Sequence, residues 1–368
     1  MTATSSYPTD PGELDAAWLT TALRSTGTIG DDVEVTSFEA EPIGVGVGIL
    51  ALLWRITLTY DGGAGSGPAT AVLKLPHTGA QSRQIADAFR FYEREVGFYE
   101  EGAGRSPLRT PARYASSFDP SSGDFLLLME DMGGRRCYDQ TEGCPPEEAA
   151  RDLVALAEHH AAWWNAPDLT SLSWVVRVCD PPNPQSLVPA LRQSWPIIES
   201  EFVHLLRGPM LEAARRMPDA VVSLMERLSE PPLTLLHGDH RLDNLFFSDD
   251  EGAEGIAMLD WQITGAGRGM YDVAYFLSQS LVPEERKGVE HELVSTYHRA
   301  LLDHGVEGYS FDACWEDYRL ATLFVSVYPL NAGAVDLVNE HAVALFSTML
   351  DRSVSAILDL DALELMPS

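Results

Sequence analysis

The 368-residue sequence carries 25 basic and 55 acidic side chains, for a formal net charge of −30, and 45% of its residues are hydrophobic. That is apolar material enough for two ordinary domains or one two-lobed unit, and too much for a disordered chain. So large an acidic surplus repels DNA, RNA and anionic lipid surfaces, so nucleic acid and membrane are not expected partners.

The N-terminal stretch has no basic segment followed by an apolar run, and nowhere does the chain approach the roughly 18 apolar residues of a membrane span. Asp10-Pro11-Gly12-Glu13 reads as a helix start, with Asp10 as cap and Glu13 reaching back, ahead of a face carrying Leu14, Trp18 and Ala22. Strand-like runs follow at 33–40, 50–60 and 70–75, separated by Gly-rich turns. An amphipathic helix is predicted over 81–101, then two further strands over 113–118 and 124–129.

Beyond Gly133-Gly134 helical patterns dominate, over 147–165, 187–206, 210–228, 283–303, 311–328 and 335–358. Three short apolar runs, 233–236, 245–247 and 256–259, interrupt them. A mixed sheet first and helices second predict an α+β, bilobal chain, with residues 1–130 as an N-terminal lobe and 131–368 as a helical lobe. The four cysteines, Cys137, Cys144, Cys179 and Cys314, make no Cys-x-x-Cys pair. Free thiols in a reduced, cytoplasmic protein are the simplest expectation, with a Cys137–Cys144 bridge as the alternative.

The most informative segment is His237-Gly238-Asp239-His240-Arg241-Leu242-Asp243-Asn244, followed by Leu259-Asp260-Trp261-Gln262. An Asp ends one apolar run, an Asn five residues later opens the second, and another Asp closes the third. Turns held between buried strands can aim side chains. Asn244 and Asp260 offer the oxygen ligands that Mg²⁺ takes sparingly, which frees Asp239 to accept a proton from a nucleophile.

Protein kinases use the same order: an Asp base, a metal-binding Asn five residues on, and a later metal-binding Asp. With His-Gly-Asp and Asp-Trp-Gln in these positions, the chain resembles the aminoglycoside phosphotransferases and the choline and ecdysteroid kinase-like families. The resemblance takes in Tyr92-Glu93-Arg94-Glu95-Val96-Gly97-Phe98-Tyr99, Leu128-Met129-Glu130-Asp131-Met132 and Asp139-Gln140-Thr141-Glu142-Gly143-Cys144. It implies an ATP- and Mg²⁺-dependent kinase transferring a phosphoryl group to a hydroxyl of a small molecule.

Lys74 stands in the apolar run Ala71-Val72-Leu73-Lys74-Leu75, where a buried ammonium needs partners. The resemblance pairs it with Glu95, with Glu93 as fallback, and gives it the nucleotide phosphates to hold. Gly44, Gly46 and Gly48 lie where a phosphate-covering loop is expected, although their spacing departs from the protein-kinase pattern. Backbone groups of Glu130 and Met132 are expected at the adenine edge. Arg241 is assigned either to the transferring phosphoryl group or to a neighbouring carboxylate, His237 and Asp272 to packing of the turn, and Asp243 to solvent. His160 falls on a helix stripe that mostly means packing, with substrate contact as the alternative.

Only eleven residues separate Asp260 from Asp272, which leaves little room for a peptide-docking segment and favours a small acceptor. Overall acidity suits an amino sugar, whereas the resemblance to ecdysteroid kinases suits a steroid or polyketide, and hydroxy-acyl compounds are a third class. Two rival readings remain. One is a nucleotide-binding pseudokinase. The other is a metallohydrolase built on His237, Asp239 and His240, although no further histidines have ligand spacing.

Overall fold

The computed structural model describes residues 7–44, 50–63, 65–250, 255–334 and 337–367. The chain divides into two compact units, residues 1–105 with 110–135, and residues 106–109 with 136–368.

In the first unit, α1 (Ala16–Ser25) precedes the strands β1 (Val35–Ile43), β2 (Ala51–Tyr60) and β3 (Thr70–Pro76). The helices α2 (Ala80–Phe89) and α3 (Phe91–Gly97) follow, then β4 (Arg113–Asp119) and β5 (Asp124–Glu130). The five strands form one antiparallel sheet in the order β1-β2-β3-β5-β4. Strand side chains alternate between faces. Leu73 and Leu75 of β3 and Leu126 and Leu128 of β5 therefore join Leu19 and Leu23 of α1 in one core. The opposite face takes Phe125, on which Tyr92 of α3 stacks at 4.1 Å, and Lys74.

Two expectations here need correction. Asp10 caps only a short 3₁₀ turn, Pro11–Glu13, with Glu13 reaching back to accept from Thr9 N; the α-helix starts at Ala16 under Asp15, which accepts from Trp18 N at 2.7 Å. The helix expected over 81–101 is broken at Arg90, which adopts φ 59° and ψ 33°, and it finishes in a π-turn, Phe98–Gly102. Nothing in an Arg side chain announces a left-handed residue.

The second unit contains α4 (Pro146–Trp163), α5 (Asn183–Ile197) and α6 (Met210–Leu228). Next come the short strands β6 (Thr234–Leu236), β7 (Leu245–Phe247), β8 (Ile256–Met258) and β9 (Gly265–Gly267). The helices α7 (Met270–Ser280), α8 (Pro283–Asp303), α9 (Phe311–Val325), α10 (Val327–Leu330) and α11 (Glu340–Asp359) complete it. β6 pairs with β9 and β7 with β8, both antiparallel. Regular α5 ends near Pro196, which has no N–H to continue the ladder, and a π-turn, Ile198–Phe202, follows. The sequence reading misses β9, whose Gly-Ala-Gly looks like a turn, and α7. All eleven residues of α7 are buried, so it lacks the polar face that produces a helical period. Among the described residues no helix is long and apolar enough to cross a membrane. All four cysteines are free thiols.

Candidate active site

The first unit supplies one buried ion pair. Lys74 is 6% exposed and Glu95 1%. Lys74 Nζ donates to Glu95 Oε1 at 2.8 Å and lies 2.7 Å from Oε2. The pair therefore joins β3 to α3 across the face opposite α1. Glu93, the fallback, is engaged elsewhere, receiving both Nε and Nη2 of Arg90 at 2.9 and 2.7 Å. Gly44 sits just past β1 with φ +64°; Gly46 and Gly48 lie outside the described residues. Glu130 N donates to Ala112 O, its carboxylate accepts from Ala112 N, and Met132 O accepts from Arg135 N at 3.0 Å.

The second unit builds a turn between β6 and β7. Its corner is Gly238, with φ +87°; a Cβ there would lie 2.4 Å from Ile263 O, so only glycine fits. Asp272, near the start of α7, braces the corner. Its Oδ2 accepts from His237 N at 2.7 Å and its Oδ1 from Gly238 N at 2.9 Å. His160 Nε2 lies 3.1 Å from Oδ2. Burial pushes the Asp272 carboxyl up, but the His160 hydrogen bond and the surrounding imidazoles hold it down at about 2. Burial keeps His160 neutral, so Nε2–H donates to the ionised Asp272, and Nδ1 accepts from Tyr297 OH at 2.7 Å. Both ring nitrogens of this fully buried side chain are thus committed to packing, and the substrate-contact alternative falls away.

His237 is a second brace. Its Nε2 donates to Leu259 O at 2.8 Å, and its Nδ1 accepts from Asp239 N at 3.3 Å. The ring packs edge-on to Trp261 at 4.7 Å. One imidazole thereby ties the amide of Asp239 to the residue before Asp260. The β7–β8 ladder continues the tie, because Leu259 N donates to Asn244 O at 2.9 Å. Asn244 Nδ2 donates to Asp239 O at 2.8 Å and to Asp239 Oδ2 at 3.0 Å. Asp260 adopts φ 64° and ψ 67°, a costly conformation for a non-glycine residue that tends to mark functional turns, and accepts from Gln262 Nε2 at 3.3 Å.

Arg241 lies with its Nε 3.3 Å from Asp239 Oδ1, and its Nη1 is hydrogen-bonded to Asp243. Asp243 is thus part of the cluster instead of simply facing solvent. Burial pushes the Asp239 carboxyl up; the Arg241 guanidinium, His237, and hydrogen bonds from Tyr275 and Asn244 outweigh it and hold it below the usual carboxylate range. Burial also pushes the Asp243 carboxyl up, and there it prevails over Arg241 and leaves the group above its ordinary value.

The structure adds residues that sequence reasoning did not select. Tyr275 of α7 reaches Asp239, its ring lies 4.8 Å from Tyr328, and Tyr328 OH is hydrogen-bonded to Tyr271 OH. Tyr271 and Tyr275 stand four residues apart around Asp272, one turn of a helix, a signal hidden because α7 was not predicted. His240, fully buried, places Nε2 2.7 Å from Asp152 Oδ2 on α4. With His237 and His240 both held this way, the histidines of the turn do not converge as metal ligands. Among the described residues no group of three or more His, Cys, Asp and Glu side chains could hold a metal ion.

This geometry, a five-stranded antiparallel sheet with a Lys–Glu pair and a helical unit with an Asp–Asn–Asp turn, is the α+β protein-kinase-like fold. The chain superimposes on a putative aminoglycoside phosphotransferase from Ralstonia eutropha with a TM-score of 0.55 and 16% identity, covering 96% of this chain and 99% of that one. It also superimposes on the GDP complex of aminoglycoside 2'-phosphotransferase-IIIa with a TM-score of 0.54 and 14% identity, over 93% and 99% of the two chains. Within that fold, residues 185–306, which include the whole turn, match the sequence profile of the Ecdysteroid kinase-like family. Among curated proteins, acyl-CoA dehydrogenase family member 11 of Rattus norvegicus is 27% identical over 247 residues. That match takes in 60% of this chain but only 29% of the rat protein.

Proposed function

We propose that this protein is an O-phosphotransferase that moves the γ-phosphoryl group of ATP, with Mg²⁺, to a hydroxyl of a small-molecule acceptor. The observation that carries the reading is the turn itself: one carboxylate, Asp239, and two potential oxygen donors, Asn244 and Asp260, tied together by His237 and braced by Asp272.

The residues fit the cation. Asn244 commits its Nδ2 to Asp239, which turns its Oδ1 into the available ligand atom, and the strained backbone of Asp260 presents a second carboxylate. When bound, Mg²⁺ would neutralise charge on the phosphate oxygens. Asp239 orients the acceptor hydroxyl and takes its proton as the acceptor oxygen bonds to the γ-phosphorus and ADP leaves. Its lowered pKa keeps it ionised and ready to accept. Lys74, held by Glu95, supplies the positive charge for the α- and β-phosphates, and Arg241, beside Asp239, offers one to the transferring group. Backbone groups of Glu130 and Met132 would read the adenine edge. Gly44, Gly46 and Gly48 would cover the phosphates.

The 3₁₀ turn Trp261–Ile263 and β9 fill most of the interval from Asp260 to Asp272, which supports a small acceptor over a polypeptide. Tyr275 beside Asp239, with the Tyr328 ring against it, favours an acceptor with an apolar body, steroid- or polyketide-like or hydroxy-acyl, over a polycationic amino sugar. The free thiols support a cytoplasmic setting.

The test is thermal unfolding with ATP and GTP, each with and without Mg²⁺, followed by ADP release against a panel of hydroxylated acceptors. A Mg²⁺-dependent rise in midpoint is expected, larger with ATP, and lost in Asp260→Ala. No rise with either nucleotide would overturn the reading. A rise without ADP release from any acceptor would favour the pseudokinase.

A further inference from the structure

The segment Asp139-Gln140-Thr141-Glu142-Gly143-Cys144 carries part of the family resemblance, yet none of the roles above uses it. Gln140 is 1% exposed, and every polar atom of its side chain is engaged within the second unit. Its Oε1 accepts from Leu242 N at 2.9 Å. Its Nε2 donates to Gln279 O at 3.0 Å and to Ser280 Oγ at 3.2 Å, at the end of α7. The main chain around it is fastened by Arg352 of α11, which is 5% exposed. Arg352 Nη1 donates to Gln140 O at 2.7 Å, Gln279 O at 3.2 Å and Ser280 O at 3.3 Å, and Nη2 donates to Thr141 O at 2.7 Å. Gly143 lets the segment close, since at φ +90° a Cβ would meet Ser280 O at 2.9 Å.

Leu242 lies midway between Asp239 and Asn244. The Asp239 end of this stretch is anchored by Asp272 and the Asn244 end by the β7–β8 ladder. Between them His240 is held by Asp152 of α4 through its side chain, and Leu242 is held by Gln140 through its backbone N–H. Gln140 gives its shorter acceptor bond to the turn, with a longer one from Ser280 Oγ at 3.4 Å, and its donor to α7. It thus makes the spacing between Asp239 and Asn244 depend on the C-terminal end of α7 and on α11.

We propose that Gln140, fixed by Arg352, is a positioning residue that sets the separation of the base Asp239 from the metal-ligating Asn244 through its hydrogen bond to Leu242 N. The proposal rests on the phosphotransferase reading for its effect on metal binding, but the tie to the turn can be measured without it.

The experiment compares the unmodified chain with Gln140→Leu, Gln140→Glu and Tyr309→Phe. The last loses a buried hydrogen bond to Asp317, 2.9 Å in the native chain, away from the turn. Two quantities are read: Mn²⁺ affinity in the presence of ADP, by electron paramagnetic resonance, and amide hydrogen exchange over residues 237–245. Outer-sphere supports of metal ligands typically change metal affinity by about 10–100-fold, so Gln140→Leu is expected to weaken Mn²⁺ binding at least ~10-fold. It should also speed exchange within 239–244. Gln140→Glu retains an acceptor for Leu242 N and is expected to stay within about threefold of the native affinity, a magnitude well short of that loss. Tyr309→Phe should lower the unfolding midpoint and leave both quantities unchanged.

Native Mn²⁺ affinity in Gln140→Leu, or an equal loss in Tyr309→Phe, overturns the proposal. If the unmodified chain binds no Mn²⁺ with ADP, the phosphotransferase reading fails, and exchange then decides the tie alone. Faster exchange confined to 239–244 supports it, and unchanged exchange overturns it. Should Gln140→Leu not fold, Gln140→Asn, too short to reach Leu242 N, takes its place with the same expected losses and the same overturning result.

Discussion

Lys74 and Glu95 meet as an ion pair between two side chains, one from a strand and one from a helix. The turn around Asp239 is built the other way. Asp272, His237, Asn244 and Gln140 all bond to main-chain amides or carbonyls, so the functional carboxylates are placed by the path of the chain. A charge that need only be present can be supplied by one long side chain. Groups that must hold a fixed separation from one another need the backbone immobilised.

The comparison can be broken or sharpened in order of expected effect. Asp239→Asn should cut turnover by about 10²–10⁴-fold, the usual contribution of a general base, while the nucleotide-induced rise in midpoint persists. ADP release by the acceptor identified in the screen measures the first and thermal unfolding the second; near-normal turnover would remove Asp239 from its role. Asp272→Ala should cost about 3–5 kcal/mol, because it strips the acceptor from two buried amides and from His160. Urea unfolding gives the value, and a loss below about 1 kcal/mol would mean that the corner is held by Gly238 and His237 without it.

Asp272 also carries a pH signature. Its folded pKa, about 2, lies below the ordinary value of 3.8. Its contribution is therefore complete above pH ~4 and is lost as the pH falls through the folded value; it amounts to about 2 kcal/mol. Stability curves of the native chain and Asp272→Asn measured from pH 6 to pH 2 should converge at the acid end, and parallel curves would contradict the depressed pKa. The smallest effect on stability is expected in the first unit. The double variant Lys74→Met with Glu95→Leu should unfold within about 1 kcal/mol of the native chain, because a buried ion pair can be exchanged for apolar packing. It should nevertheless lose the nucleotide-induced rise in midpoint. A severe loss of stability would show that the pair is as deeply built in as the turn.

What was legible in the sequence follows the same division. Lys74 stood out because a lysine in Ala71-Val72-Leu73-Lys74-Leu75 contradicts its surroundings, and Asp239, Asn244 and Asp260 because they punctuate short apolar runs at fixed intervals. The strands β2, β3, β7 and β8 and the helices α6 and α8 were legible from period and length. Hidden were features with no local signal: the left-handed Arg90, the fully buried α7, and β9 written in glycine and alanine. The braces were hidden too. Arg352 finds Gln140 across 212 positions, and Gln140 finds Leu242 across 102. Pattern reading over a window of a dozen residues cannot pair groups so far apart.

The complete burial of α7 has a consequence during synthesis. This helix, which carries Asp272 and Tyr275, is covered by α9 and α11, and its Gln279 bonds to Val325 O at 3.0 Å. A ribosome that has translated the turn and α7 has not yet produced the helices that cover them. Until residues 311–359 emerge, the nascent chain holds an apolar segment with nothing to close over it, a natural substrate for chaperones. The helix α11, translated about a hundred residues after the turn, is thus one that lets the turn set.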